Sequence, residues 1–378
     1  MTTSPDIHLP TSHLAAVLER FNTPYTLKQV PTPTAATGPD LLIRVLAASY
    51  CHTDAVFASG ALSQKLPQVG CHEFAGEIVA IGPDVPSNLG LAIGLRVGVP
   101  GRAYHPCGKC HECSNTGADP PGYSTYCPKA GNLGLNIDGG FQEYCLVDAR
   151  QAAPLPSTLP SPQAAAMMCA GVTVWAALHH PRVRHRKSIA IMGAGGGLGH
   201  LGVQFAVRLG FHVVAVDAND KALALLAEVR SWLGDAGKGL RIADARKDSP
   251  DAIKAMLAEA DPATDPSEVG VEAVIMLPDS QAAFDTGMQI LRNRGTMVVV
   301  SFPKEKLQVN THDLVFRDID IVGSLVGRNH QVREMLDFVS AHNVKAKVET
   351  HPLSEIGQLV ERSHQGVSGK LVVDMTKN

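Results

Sequence analysis

The chain has 378 residues, of which 45% are hydrophobic and 18% charged, enough apolar material for packed cores; this excludes a disordered or low-complexity protein. Lys plus Arg (33) against Asp plus Glu (36) gives a net charge of −3, which excludes a general basic track for a nucleic-acid backbone. The longest near-apolar stretch, 164–178, is too short to span a bilayer and is broken by Gly171 and Thr173.

Residues 1–10 lack a basic start followed by an apolar run, so we expect no secretory signal and a cytoplasmic location. Residues 1–160 alternate short apolar runs (41–48, 76–81, 96–99, 141–147) with turn punctuation at Gly82-Pro83, Pro120-Pro121 and Gly139-Gly140. That texture predicts a β-rich, loop-rich unit. The pattern changes at Ser161, a helix-capping residue followed by Pro162 in a first-turn position. Strand-like runs at 188–192, 213–216, 273–277 and 297–300 then alternate with helix-like stretches at 198–209, 221–232 and 280–291. Such alternation predicts parallel βαβ units in a doubly wound α/β sheet. The tail from residue 311 adds a strand-like run at 319–326, helices near 332–340 and 354–363, and a last strand at 371–373.

The strand at 188–192 runs into Gly193-Ala-Gly-Gly-Gly-Leu-Gly199, which opens a helix. Glycines let a backbone approach a pyrophosphate, and the helix N-terminus offers it free N–H groups. The register is one residue longer than G-x-G-x-x-G, so Gly193, Gly195, Gly196, Gly197, Leu198 and Gly199 are the candidate cradle. A flexible turn remains the alternative for the loop alone. Asp217 ends the next strand, where a carboxylate accepts the ribose hydroxyls of NAD and repels the 2′-phosphate of NADP. Its alternative is a helix cap. On the cofactor reading, Asp217→Gly raises NADP use, and Lys221 lies just behind it.

Cys107-x2-Cys110-x2-Cys113-x13-Cys127 brings four thiols within reach of one ion. Four thiolates close the coordination shell, so the site is structural zinc; disulfides are the alternative. The lobe is rich in Gly, Pro and polar residues and needs the metal to hold it. Cys51, His72 and Cys169 share no local spacing, and each reads as readily as packed core as it does as a ligand.

The chain nevertheless resembles the zinc-dependent medium-chain alcohol dehydrogenases, most closely the yeast and fungal type. The resemblance covers nearly the whole chain and is carried by Cys51-His-Thr-Asp54, Gly70-Cys-His-Glu73, the four-cysteine lobe, Asp138-Gly-Gly-Phe-Gln-Glu-Tyr144, Met168-Cys-Ala-Gly-Val-Thr-Val174, the glycine loop, Ile321-Val-Gly-Ser-Leu-Val-Gly-Arg328 and Gly369-Lys-Leu-Val-Val-Asp374. It implies a GroES-like β-rich catalytic domain in 1–160, to which the tail 311–378 contributes, and a Rossmann domain over 161–310. It implies two zinc ions and NAD, a small alcohol or carbonyl substrate, and a homo-oligomer, dimer or tetramer. Cys51, His72 and Cys169 are then ligands of a catalytic zinc with an open position, where a Lewis acid polarises oxygen while hydride passes between substrate and nicotinamide.

By the same resemblance Thr53 receives the substrate proton and Asp54 orients His72. Glu73 sits behind the metal, and His52 and Lys370 meet the cofactor phosphates. The chain departs from the family pattern in five places. Val56 stands where the outer His of a proton relay is usual, which reroutes the relay through His52 or water. Leu62 stands near a pocket-narrowing Trp, so a pocket admitting more than ethanol is expected. Lys370 replaces Arg, Cys71 replaces Gly, and the interval from Cys113 to Cys127 is long. The competing readings are a carbonyl reductase of a biosynthetic pathway in the same superfamily and, less favoured, a zinc-free enone or quinone reductase.

Overall fold

The computed structural model describes residues 9–34, 36–62, 65–258, 269–303 and 305–377. Two units separate within it, Met1–Cys169 with Arg328–Asn378, and Ala170–Gly327.

The chain begins with β1 (Ser12–Leu18), β2 (Thr26–Pro31) and β3 (Asp40–Tyr50), followed by α1 (His52–Ala58). Then come β4 (Gln68–Val69), β5 (Glu73–Ile81), β6 (Arg96–Pro100) and β7 (Arg102–Tyr104), α2 (His111–Ser114), β8 (Gly131–Asn132), β9 (Tyr144–Asp148), β10 (Ala153–Pro154) and α3 (Ser161–Ala166). A π-helical turn, Met167–Gly171, joins α3 to α4 (Val172–Leu178). The second unit continues with β11 (Ser188–Met192), α5 (Gly199–Arg208), β12 (His212–Asp217), α6 (Asp220–Leu233), β13 (Arg241–Asp244), α7 (Pro250–Ala258), β14 (Val271–Met276), α8 (Gln281–Ile290), β15 (Leu291–Val299), α9 (Thr311–Arg317) and β16 (Asp320–Gly323). The tail supplies α10 (Asn329–His342), β17 (Val348–His351), α11 (Ile356–His364) and β18 (Lys370–Asp374).

In the first unit a sheet runs β10-β6-β5-β3-β18-β17, with β9 also paired to β3. β3 is buried on both faces, which its unbroken run Leu41-Leu-Ile43 requires: Leu41 and Ile43 enter the main core with Phe74, Val97 and Phe141, while Leu42 packs with Val79 and Ala80 on the other side. The tail closes this sheet, since β18 pairs antiparallel with β3 at Leu371↔Tyr50 and thereby carries Lys370 to the end of β3.

The second unit is one parallel sheet, ordered β13-β12-β11-β14-β15-β16. Its order reverses at β11, the arrangement of a doubly wound fold, which leaves the ends of β11 and β12 beside the switch point. The unit boundaries fall later than the sequence texture suggests, at 169 and 327 rather than 160 and 310. α3 buries Ala164, Ala165 and Ala166 within the first unit, against β3 and β5, while β16 pairs with β15 and so belongs to the second. Among the described residues no helix is long and apolar enough to cross a membrane.

Candidate active site and metal centres

β3 delivers Cys51, which caps α1. The turn into β5 delivers His72, and the π-helical turn delivers Cys169. π turns of this kind recur at functional sites because they re-aim one side chain within a helix. The three donor atoms all lie within 4.8 Å of one another, and His72 Nε2 is 3.3 Å from Cys169 Sγ. One zinc at ordinary Zn–N and Zn–S lengths would set that edge at about 3.6 Å, so the donor set fits the ion and leaves a fourth corner open.

The protonation pattern fits a cation site as well. A hydrogen bond from Cys169 draws the Cys51 thiol well below its usual range, while the same bond, together with burial, pushes Cys169 up. Both sulfurs are buried, and a cation among them would favour the thiolate of each. Burial opposes charge on His72, but Asp54 and Cys51 outweigh it and the imidazole rises well above its usual value.

Asp54 is fully buried and ties together the turns that bear Cys51 and His72. Its Oδ2 accepts the Cys51 N–H at 2.8 Å and its Oδ1 accepts the Cys71 N–H at 3.1 Å. His72 Nδ1 faces the same Oδ1 at 3.7 Å, beyond hydrogen-bond length, and is buried with no hydrogen-bond partner. Thr53 Oγ1 lies 3.6 Å from Cys51 Sγ. His52 is exposed at the start of α1, and Val56 and Leu62 are half-buried and exposed, respectively. Cys71 is buried at φ +77°, a left-handed conformation that favours glycine, and its thiol donates to the carbonyls of Ser49 (3.4 Å) and Glu73 (3.3 Å).

The structure places Lys370, expected at the cofactor phosphates, on Glu73. Its Nζ is 2.5 Å from Glu73 Oε1 and donates to the Tyr50 carbonyl at 2.9 Å. The pair is buried, Glu73 at 0% and Lys370 at 5% exposure. Burial raises the Glu73 carboxyl to about 7 even though Lys370 pulls it down. Register explains the placement: Lys370 opens β18, one residue before the partner of Tyr50, and β5 begins at Glu73 on the other side of β3.

Cys107, Cys110, Cys113 and Cys127 also converge within 4.8 Å, with Cys110 and Cys127 sulfurs 3.9 Å apart. A tetrahedral tetrathiolate zinc sets its sulfur–sulfur edges at about 3.8 Å. All eight cysteines are free thiols, so disulfides do not explain the cluster. Backbone N–H groups, Lys109 first, draw Cys107 down to about 6, and burial pushes Cys113 up to about 12. The long interval after Cys113 docks on the start of α10. Asp119 accepts the His330 N–H at 3.1 Å and pairs with its Nδ1 at 3.0 Å; Arg328 donates to Thr116 O at 3.1 Å and lies over the Tyr126 ring. Sequence reading missed these residues, since nothing in their spacing links 116–126 to 328–330.

In the second unit the glycine loop divides its labour. Gly195 and Gly199 serve packing: a Cβ would lie 2.3 Å from Ala222 O at the first and 2.2 Å from Gly193 O at the second. Gly196, Gly197 and Leu198 form the half-buried tip, where backbone is accessible to a phosphate. Asp217 lies beside the loop, its Oδ2 accepting the Gly195 N–H at 2.9 Å and its Oδ1 the N–H groups of Ala218 (2.8 Å) and Asn219 (3.1 Å). Lys221 is exposed in the first turn of α6.

Comparison with known proteins identifies the family. The family model "alcohol dehydrogenase GroES-like domain" matches residues 38–157, and "zinc-binding dehydrogenase" matches 197–341. An alcohol dehydrogenase of Geobacillus stearothermophilus is 34% identical over 362 residues, covering 95% of this chain and 98% of the relative. Alcohol dehydrogenase 1 of Emericella nidulans is 34% identical over 374 residues, covering 97% and 99%. Among solved structures, the alcohol dehydrogenase of the archaeon Aeropyrum pernix superposes with a TM-score of 0.79 at 27% identity, over 96% of this chain and 99% of that one. An acetophenone reductase of Geotrichum candidum in complex with NAD shares the fold, with a TM-score of 0.79 at 24% identity over 98% and 100%.

Proposed function

Because the chain belongs to the zinc-dependent medium-chain alcohol dehydrogenase family, we propose that it is an NAD-dependent enzyme for alcohols, or the matching carbonyls, bulkier than ethanol. Cys51, His72 and Cys169 hold the catalytic zinc in this reading; Cys107, Cys110, Cys113 and Cys127 hold the structural one. The observation that carries it is the convergence within 4.8 Å of three donors from three distant segments. Bound there, zinc supplies Lewis acidity toward the substrate oxygen.

The chain's own residues do the rest. Thr53, next to Cys51, takes and returns the hydroxyl proton of the substrate. With Val56 unable to carry that proton, exposed His52 and solvent complete the route. Asp54 fixes the turns bearing Cys51 and His72 through two amide hydrogen bonds. Lys370 holds the Glu73 carboxylate in place behind the ligands. The Gly196–Leu198 tip receives the pyrophosphate, and Asp217 accepts the ribose hydroxyls.

The preference for bulk rests on Leu62, which is exposed and stands near the pocket-narrowing Trp of the family pattern. A homo-oligomer in the cytoplasm is consistent with eight free thiols and with Val315 and Phe316, 73% and 72% exposed on α9. The test is a substrate panel followed by NADH absorbance, with zinc counted in the same preparation. Branched, cyclic or aromatic alcohols should exceed ethanol in kcat/KM, with about two zinc ions per chain. Ethanol far ahead of the panel would refute the pocket; about one zinc per chain would refute the site assignment.

A further inference from the structure

Beside Asp217 lies a charged cluster that the reaction does not use. β12 and β13 run parallel with Asp217 and Asp244 as register partners at their ends, so these backbone positions are about one strand spacing, 4.8 Å, apart. Two residues on, Arg246 folds back on Asp244 as a fork: Nε meets Oδ1 and Nη2 meets Oδ2, both at 2.8 Å. The same Nη2 reaches Asp220 Oδ1, at the first position of α6, at 2.5 Å. Lys247 also faces Asp244, at 3.4 Å. Both cations of the β13 turn are therefore engaged by carboxylates, and Arg246 holds the Asp244 carboxyl well below its usual range.

This cluster does little for the fold. Asp220 is 86% exposed and Arg246 40%, and ion pairs so exposed add little to stability. Its place matters more. An arginine near the ribose is the group that accepts the 2′-phosphate of NADP, through the same bidentate fork that binds carboxylates. We propose that Asp244 and Asp220 lock Arg246 away from the ribose, so that cofactor choice is set twice: by the Asp217 carboxylate and by sequestration of the one arginine in the β13 turn. The inference rests on the cofactor reading above and deepens it. Removing Asp217 alone then lifts a repulsion without supplying a phosphate partner.

Four zinc-loaded proteins test this: the parent, Asp217→Gly, the triple variant D217G/D220N/D244N, and that triple variant with R246A added. Dissociation constants for NADH and NADPH are read by nicotinamide fluorescence, at low and moderate salt. Asp217→Gly should tighten NADPH by less than about tenfold, and releasing Arg246 should add about tenfold or more. That second gain should vanish in R246A and shrink as salt rises. Should D244N unsettle the β13 turn, D217G/D220N frees only the Nη2 contact to Asp220 and should give a smaller gain, which R246A must again abolish. The lock is overturned if D217G alone makes NADPH as tight as NADH, or if the second gain survives R246A. A parent that binds no NADH would refute the cofactor reading instead, and the parent titration separates the two failures.

Discussion

Replacing Lys370 by Met strands Glu73. The carboxylate is fully buried, its partner is 5% exposed, and the two meet at 2.5 Å across the start of β5 and β18. Removing one member of a buried pair costs at most about 3–5 kcal/mol as an uncompensated charge, and less where Glu73, whose carboxyl burial already raises to about 7, takes up a proton instead. For a domain of 150–250 residues each kcal/mol lowers Tm by about 2–4 °C, so the transition of the first unit should fall by up to about 20 °C, and by more at pH 9 than at pH 6. Calorimetry on the zinc-loaded protein reads this directly. The double variant K370M/E73Q removes the stranded charge and should recover most of the loss, and K370R, which keeps the charge, should lose least. NADH affinity separates this placement from a phosphate contact: a charged hydrogen bond to phosphate is worth about 1.5–3 kcal/mol, or more than about tenfold in Kd. K370M should leave NADH Kd within about threefold of the parent, below that bound. If K370M melts with the parent, if the two substitutions simply add in the double variant, or if NADH binding collapses, the pairing argument fails.

Cys51→Ala should leave about one zinc per chain and abolish turnover while NADH still binds, as counted by metal analysis and titration; retained turnover would remove Cys51 from the metal. Cys127→Ala should empty the other site and expose 107–127 to protease, because the hydrogen bonds to His330 and Arg328 anchor only the outer loop; an unchanged digestion pattern would show the lobe folds without metal. Gly195→Ala puts a methyl 2.3 Å from Ala222 O and should destabilise the second unit, whereas Gly196→Ala, with 3.3 Å to Gly193 O, should spare its Tm and weaken NADH binding. Cys71→Gly suits the left-handed backbone at φ +77° and should keep both zinc ions, while the branched Cys71→Val should destabilise by about 1–3 kcal/mol. Equal Tm for those two variants would contradict the backbone argument.

Much of the second unit was legible, because its signal is periodic, though β13, α7 and α9 were not read. Runs such as 188–192 and 213–216 sit between helix-like stretches, and the observed strands Ser188–Met192 and His212–Asp217 follow them closely. The boundaries were not legible. An alanine-rich helix reads the same whether it packs on a mostly antiparallel sheet or on a parallel one, and only tertiary contact assigns α3 to the first unit. The four-cysteine cluster was visible because three of its thiols share one short loop, so sequence distance stands in for spatial distance. The pairing of Lys370 was not legible for the opposite reason: its partner Glu73 is 297 residues away and is set by strand register alone.

The same logic explains why the other metal cluster cannot be found by spacing. Cys51 and His72 are not held together by a loop of fixed length. They are held by a third residue, Asp54, whose two oxygens accept the amides of Cys51 and Cys71. Each ligand is thus positioned through the backbone beside it, and the code for the site is an acid three residues after one ligand, at the N-terminus of a short helix. Cys169 is aimed by a π turn, for which the sequence 167–171 carries no periodic mark. Asp54→Asn tests the scheme. An amide keeps one acceptor and loses the other, so one turn should loosen. Zinc release to a chelator should quicken while the four-cysteine site keeps its metal, and an unchanged release rate would mean that the turns hold their geometry without the carboxylate.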